Sequence, residues 1–115
     1  MKYYLGVDGG GTKTEAILID EDKKVVGKGS TAGSLATVFG MDESVNRISS
    51  AVLQALSGKK LKNIPACLAL AGVDTDSDNK RWRQAIRNHL YLSQLLADPV
   101  IVNDTLAALR SGTTD

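Results

Sequence analysis

Leu5-Gly6-Val7-Asp8-Gly9-Gly10-Gly11-Thr12-Lys13-Thr14-Glu15-Ala16-Ile17-Leu18-Ile19-Asp20 reads as two strand-like runs, residues 3–7 and 15–20, joined by a glycine-rich hairpin turn. Consecutive glycines carry no Cβ, so an anion can approach their backbone closely and successive N–H groups can form a concave donor site. Thr12 adds a hydroxyl and Lys13 a cation. Glycine is also the usual turn residue, so the run alone does not separate a phosphate site from a plain turn. Two familiar phosphate motifs are excluded. Counting from Gly6, a P-loop requires lysine where Thr12 stands, and counting from Gly9 the dinucleotide fingerprint requires a third glycine where Thr14 stands. Both motifs also lead into a helix, whereas residues 15–20 are short and β-rich and end at the charged turn 21–24. The expectation is a strand-loop-strand phosphate site.

A chain of 115 residues is one domain on length, large enough to bury roughly two thirds of its unfolded surface and to fold alone. Fourteen basic and 13 acidic residues give a formal charge of +1. That supplies no general field for nucleic acid or anionic membrane, so neither is an expected partner. No run reaches the ~18 apolar residues of a membrane span, and Met1-Lys2-Tyr3 leads into a strand rather than a signal peptide. The expected location is cytoplasmic. The single cysteine, Cys67, rules out an internal disulfide and, inside an apolar strand, reads as a small buried filler.

Further along, residues 25–29 give a third strand, and residues 30–40 a loop of about ten residues, the kind that often binds ligands. A helix opens at Asp42 with Val45, Ile48, Val52 and Leu56 on one face and closes at Ser57-Gly58. Residues 66–71, introduced by Pro65, form a continuous apolar run, the pattern of a central strand covered on both faces. A second helix is expected from about 76–78 to 92, with Trp82, Ile86 and Leu90 along one side. His89 receives no site role. Residues 99–102 make the fifth strand, with Asn103-Asp104 at its end and a short helix over 105–111. The order β-β-β-α-β-α-β-α predicts an α/β fold: a mixed five-stranded sheet, three antiparallel strands and then two parallel crossovers, with helices on both faces. Ligands gather at the carboxyl ends of parallel strands. Asp8, Asp74 and Asp104 all fall on that rim. An aspartate opening a helix is ordinarily an N-cap, but a rim shared with the glycine turn gives Asp104 a chemical reading too.

Asp8-Gly9-Gly10-Gly11-Thr12-Lys13-Thr14, Ala71-Gly72-Val73-Asp74 and Val102-Asn103-Asp104-Thr105-Leu106-Ala107-Ala108 together resemble the first domain of the BadF/BadG/BcrA/BcrD ATPase family, which includes N-acetylglucosamine and glucosamine kinases. The resemblance runs the length of the chain. It implies a ribonuclease H-like fold, as in the actin, sugar-kinase and heat-shock ATPase superfamily, and an ATP-dependent, Mg²⁺-assisted phosphorylation of a small-molecule sugar. Gly9, Gly10, Gly11 and Thr12 would hold the ATP phosphates, with Lys13 beside them. Asp8 would meet Mg²⁺ through water, because a carboxylate next to a triphosphate needs a cation between them. Asp104 matches the catalytic base. Ser34, Gly72 and Asn103 fall at the substrate side; where the family's sugar-contacting loop commonly carries asparagine, residues 31–38 carry none.

The resemblance also implies a second domain with another phosphate loop and the adenosine pocket, lying outside these 115 residues, and leaves room for a homodimer of the full-length protein. The 115 residues alone are therefore expected to fold without phosphorylating sugars. Three other readings stay open at this stage: an ATPase that energises a dehydratase or reductase, a two-metal nuclease using Asp8, Asp74 and Asp104, and a non-catalytic sugar or nucleotide sensor.

Overall fold

A computed structural model describes residues 2–103. Five strands, β1 (Tyr3–Gly9), β2 (Lys13–Asp20), β3 (Val25–Ala32), β4 (Ile64–Leu70) and β5 (Leu96–Asn103), form one sheet in the order β3-β2-β1-β4-β5. β1–β2 and β2–β3 are antiparallel, and β1–β4 and β4–β5 are parallel. The mixed five-stranded sheet expected from the sequence is the sheet observed. Its first hairpin is tight, because the glycines let β1 run to Gly9 and β2 start at Lys13. The second closes on Asp20, whose carboxylate accepts from the Asp22 and Lys24 amides, an Asx turn that satisfies backbone donors locally.

β1, β2 and β4 alternate between a buried and a more exposed face. Leu5 and Val7 on β1, Ala16 and Leu18 on β2, Ile64, Ala66, Leu68 and Leu70 on β4, and Ile101 on β5 share one face in register. The helices α2 (Met41–Leu56), α3 (Asp76–Asn88) and α4 (Leu90–Leu95) cover this face with Val45, Ile48, Val52, Trp82, Ile86, Leu92 and Leu95 in a single core. Among the described residues the helices cover only this face of β4. Pro65 and Cys67 are exposed, and with Tyr4 and Val100 they lie on the face opposite those helices. Cys67 is thus no buried filler. The helix expected over 105–111 lies outside the described residues.

Other boundaries shift for identifiable reasons. The loop expected over 30–40 is mostly ordered: β3 continues to Ala32, and a single helical turn, α1 (Ala36–Phe39), follows. The helix expected to run through 92 breaks at His89, which is extended at φ −82°, ψ 118°, and whose Nδ1 accepts from the Leu92 amide. The break turns Leu92 and Leu95 inward and leaves Leu90 78% exposed, so Leu90 does not join Trp82 and Ile86. α2 starts at Met41, one residue before Asp42, with Asp42 and Glu43 in its first turn where carboxylates favour the helix dipole.

On β3, Gly27 and Gly29 face α2. A Cβ at Gly27 would collide with the Ala55 carbonyl oxygen, and one at Gly29 with that of Ala51. Helix and strand therefore meet backbone to backbone.

α3 opens with a reciprocal cap: Asp78 N–H donates to Thr75 Oγ1, and Asp78 accepts from the Thr75 and Asp74 amides. The Asp74 amide and then the Thr75 hydroxyl hold the Asp78 carboxyl below the usual carboxylate range. A carboxylate with a depressed folded pKa stabilises the fold above its unfolded value, ~3.9, and loses that contribution as pH falls through the folded value. We expect Asp78→Asn to lower the thermal midpoint at neutral pH, and the gap between variant and wild type to close in melts taken at progressively lower acid pH.

Candidate active site

The carboxyl ends of β1, β4 and β5 form one rim, and most of the residues singled out from sequence collect there. The Ala71 amide donates to the Gly9 carbonyl at 2.8 Å, joining the ends of β4 and β1. Across the next gap, Asn103 Nδ2 donates to the Val73 carbonyl at 3.2 Å and to Asp74 Oδ1 at 2.9 Å. Asn103 thereby ties the turn after β4 to the end of β5. Gly72 has φ +82°, a conformation that favours glycine, and a Cβ there would lie 3.0 Å from Leu35 Cδ1.

The three turn glycines differ from one another. None adopts positive φ, so left-handed backbone is not what requires them. At Gly9 a Cβ would sit 2.5 Å from Ser34 Oγ and 2.8 Å from Leu70 Cδ2; packing requires that glycine. The Gly10 amide donates to the Lys13 carbonyl at 2.9 Å, so it closes the hairpin and is not available to an anion. At Gly11 a Cβ would meet nothing within 4 Å. Neither backbone strain nor packing explains glycine at 11. Gly11 and Thr12 are both exposed at the tip of the turn, which makes their amides the available donors; the Thr12 amide was not singled out from sequence.

Lys13 pairs with Glu15 at 3.5 Å, both side chains more than half exposed. Such a surface pair is worth at most about 1 kcal/mol, which leaves the lysine free to exchange that carboxylate for a phosphate. Asp8 is exposed and alternates with Val7 and Gly9, so its side chain lies on the sheet face opposite the helices. Ser34 is buried; its Oγ accepts from Thr14 Oγ1 at 2.8 Å and its amide donates to the Gly10 carbonyl at 3.0 Å. Asp104 lies outside the described residues.

Among the described residues no group of three potential metal ligands occurs. Asp74 Oδ1 accepts from Asn103 Nδ2. One exposed carboxylate beside the glycine turn would suit Mg²⁺ held largely by phosphate oxygens and water, which is how this ion is ordinarily bound. No helix among the described residues is long and apolar enough to cross a membrane.

The model of the BadF/BadG/BcrA/BcrD ATPase family matches residues 5–115. The chain is 31% identical over 119 aligned positions to an N-acetylmuramic acid/N-acetylglucosamine kinase of Clostridium acetobutylicum, covering 97% of this chain and 36% of the relative. It is 26% identical to an N-acetyl-D-glucosamine kinase of Dictyostelium discoideum, covering 96% and 37%. The fold is similar to that of a ROK family glucokinase from Streptomyces griseus solved with glucose and AMPPNP, at TM-score 0.62 and 23% identity, covering 93% of this chain and 35% of that one. The chain thus spans little more than a third of the length of these relatives.

Proposed function

Because the chain belongs to the BadF/BadG/BcrA/BcrD ATPase family, we propose that residues 1–115 form the first domain of an ATP-dependent kinase for an amino sugar, such as N-acetylglucosamine or glucosamine. The relatives' names favour this substrate class. The observation that carries the reading is Gly11: a glycine with no structural reason to be one, at the tip of a turn whose neighbours Gly9 and Gly10 are fixed by packing and hairpin closure.

In this reading the Gly11 and Thr12 amides and the Thr12 hydroxyl grip the phosphates. Gly9 and Gly10 shape the turn, and Lys13 leaves Glu15 to balance charge on the transferring group. Asp8 meets Mg²⁺, which supplies charge neutralisation of the triphosphate when bound. Gly72 and Asn103 set the floor of the acceptor side, and Ser34 its wall. Asp104, the residue after Asn103, accepts the proton of the sugar hydroxyl as that oxygen bonds to the γ-phosphorus and ADP departs. Positioning supplies much of the rate in such a transfer. The partner half of the nucleotide site belongs to the remainder of the full-length protein.

The test is a phosphorylation screen of the full-length protein with ATP, Mg²⁺, amino sugars and neutral hexoses. Formation of an amino-sugar phosphate is the expected result; ATP hydrolysis without a phosphorylated sugar would favour an activator ATPase instead. Gly11 gives a sharper check. Gly11→Ala is expected to raise KM for ATP about tenfold, the cost of roughly 1.4 kcal/mol of lost phosphate contact, while the thermal midpoint stays within a few degrees because the new methyl meets no protein atom.

A further inference from the structure

The segment 33–39 between β3 and α2 has little to hold it in place by itself. α1 is four residues long, has no buried residue and no side-chain cap, well short of the ~12 residues at which an isolated helix becomes marginal. Its position depends on tethers, and these come from two directions. On the inner side, Gly33 lies so close to Gly11 that a Cβ would strike the Gly11 carbonyl. The Ser34 amide bonds the Gly10 carbonyl, Ser34 Oγ accepts from Thr14, and Leu35 packs on Gly72.

On the outer side one residue of α2 does several jobs. Arg47 Nη1 donates to the Gly33 carbonyl at 2.8 Å, its guanidinium stacks 4.1 Å from the Phe39 ring centroid, and its Nε donates to Glu43 at 3.1 Å. Its own carbonyl accepts from Thr31 Oγ1 at 2.9 Å. Arg47 thus grips the first and last residues of the segment at once. A planar fork with several donors and a stacking face can do this; an ammonium cannot meet all three partners.

We propose that Arg47 is a positioning residue that clamps the 33–39 strap across the acceptor side of the site, and that the Thr14–Ser34 pair registers this strap against the phosphate turn. The two devices act on different substrates. The Arg47 side chain bonds only the strap and its own helix, and its carbonyl, which holds Thr31, survives substitution, so losing the side chain loosens the acceptor wall alone. Thr14 is in β2 directly beside the turn, so losing its hydroxyl disturbs phosphate and acceptor sides together. What the strap positions rests on the kinase reading above; that it is clamped does not.

The experiment uses the full-length protein, measuring kcat and KM for N-acetylglucosamine and for ATP, together with hydrogen exchange of segments 9–13 and 33–40. Arg47→Met, which keeps length and loses the fork, is expected to raise KM for the sugar about tenfold, to leave KM for ATP within about twofold, and to speed exchange over 33–40 but not 9–13. Arg47→Lys is expected to recover part of the sugar KM. Thr14→Val, near-isosteric, is expected to raise both KM values and both exchange rates. A parallel rise in both KM values for Arg47→Met, or no rise in either, overturns the clamp. If the wild type phosphorylates no amino sugar, the kinase reading falls, and exchange alone decides: unchanged protection of 33–40 in both Arg47 variants overturns the proposal, and selective loss supports it.

Discussion

An Asp104→Asn variant of the full-length protein is expected to phosphorylate N-acetylglucosamine about 10³-fold more slowly than wild type with KM values little changed, within the range that general-base catalysis contributes. The amide is nearly isosteric and can still hydrogen-bond the acceptor hydroxyl, so binding and positioning survive. What it cannot do is take a proton as the phosphoryl group moves. The effect should therefore fall on kcat, the signature of an interaction made in the transition state rather than in the ground state. The neighbouring structure supports this separation. Asn103 fixes the end of β5 through the Val73 carbonyl and Asp74, and neither bond involves position 104. Turnover within tenfold of wild type would remove Asp104 from the role of base. A protein that binds sugar and nucleotide equally well before and after the change, with no turnover in either form, would be a sensor.

Gly29→Ala is expected to destabilise the domain by at least about 3 kcal/mol, lowering the thermal midpoint by about 12 °C or more. A methyl at that position meets the Ala51 carbonyl and Gln54 Cβ. These belong to the C-terminal half of α2, which cannot retreat without exposing the buried Val45, Ile48 and Val52 of the same helix. Gln54 Oε1 also accepts from the Ser30 amide at 3.0 Å, so a displaced helix would lose that bond too. Gly27→Ala should behave alike through Ala55. Gly11→Ala serves as the control, since it adds the same atom where nothing opposes it. Melts followed by circular dichroism decide the matter; a loss of less than about 1 kcal/mol at Gly29 would mean that α2 slides over β3 at little cost.

Much of this architecture is legible in the sequence, for reasons that can be named. The first hairpin announces itself because alternating apolar residues flank a glycine run, and both parallel crossovers follow from strand-helix-strand periodicity that local pattern alone can carry. Legibility stops where tertiary packing decides. The break at His89 is set by the need to turn Leu92 and Leu95 inward, while the spacing of Trp82, Ile86 and Leu90 continues undisturbed past it. The imidazole that caps α4 is also not among the residues ordinarily read as caps. In Val25-Val26-Gly27-Lys28-Gly29 the alternation was visible, but whether the small side offers space to a helix or to solvent depends on what lies opposite.

The site divides in the same way. Residue types single out the glycine turn and the rim, since glycines and carboxylates at strand ends are chemical statements in themselves. The division of labour among Gly9, Gly10 and Gly11 could not be read, because it depends on Ser34 and Leu70 arriving from elsewhere in the chain. Arg47 was invisible for the same reason: within α2 it is one more charged residue on a helix that also carries Glu43, and only the return of the chain at Gly33 and Phe39 gives it partners.

The chain's one thiol has a practical consequence. Cys67 is exposed on β4, between Gly6 and Val100 in register, with the strap and its arginine attached to the other side of the sheet. A fluorophore coupled there by maleimide chemistry would mark the sheet face that also carries Asp8, away from the helix-packed core, and needs no engineered attachment point within this domain.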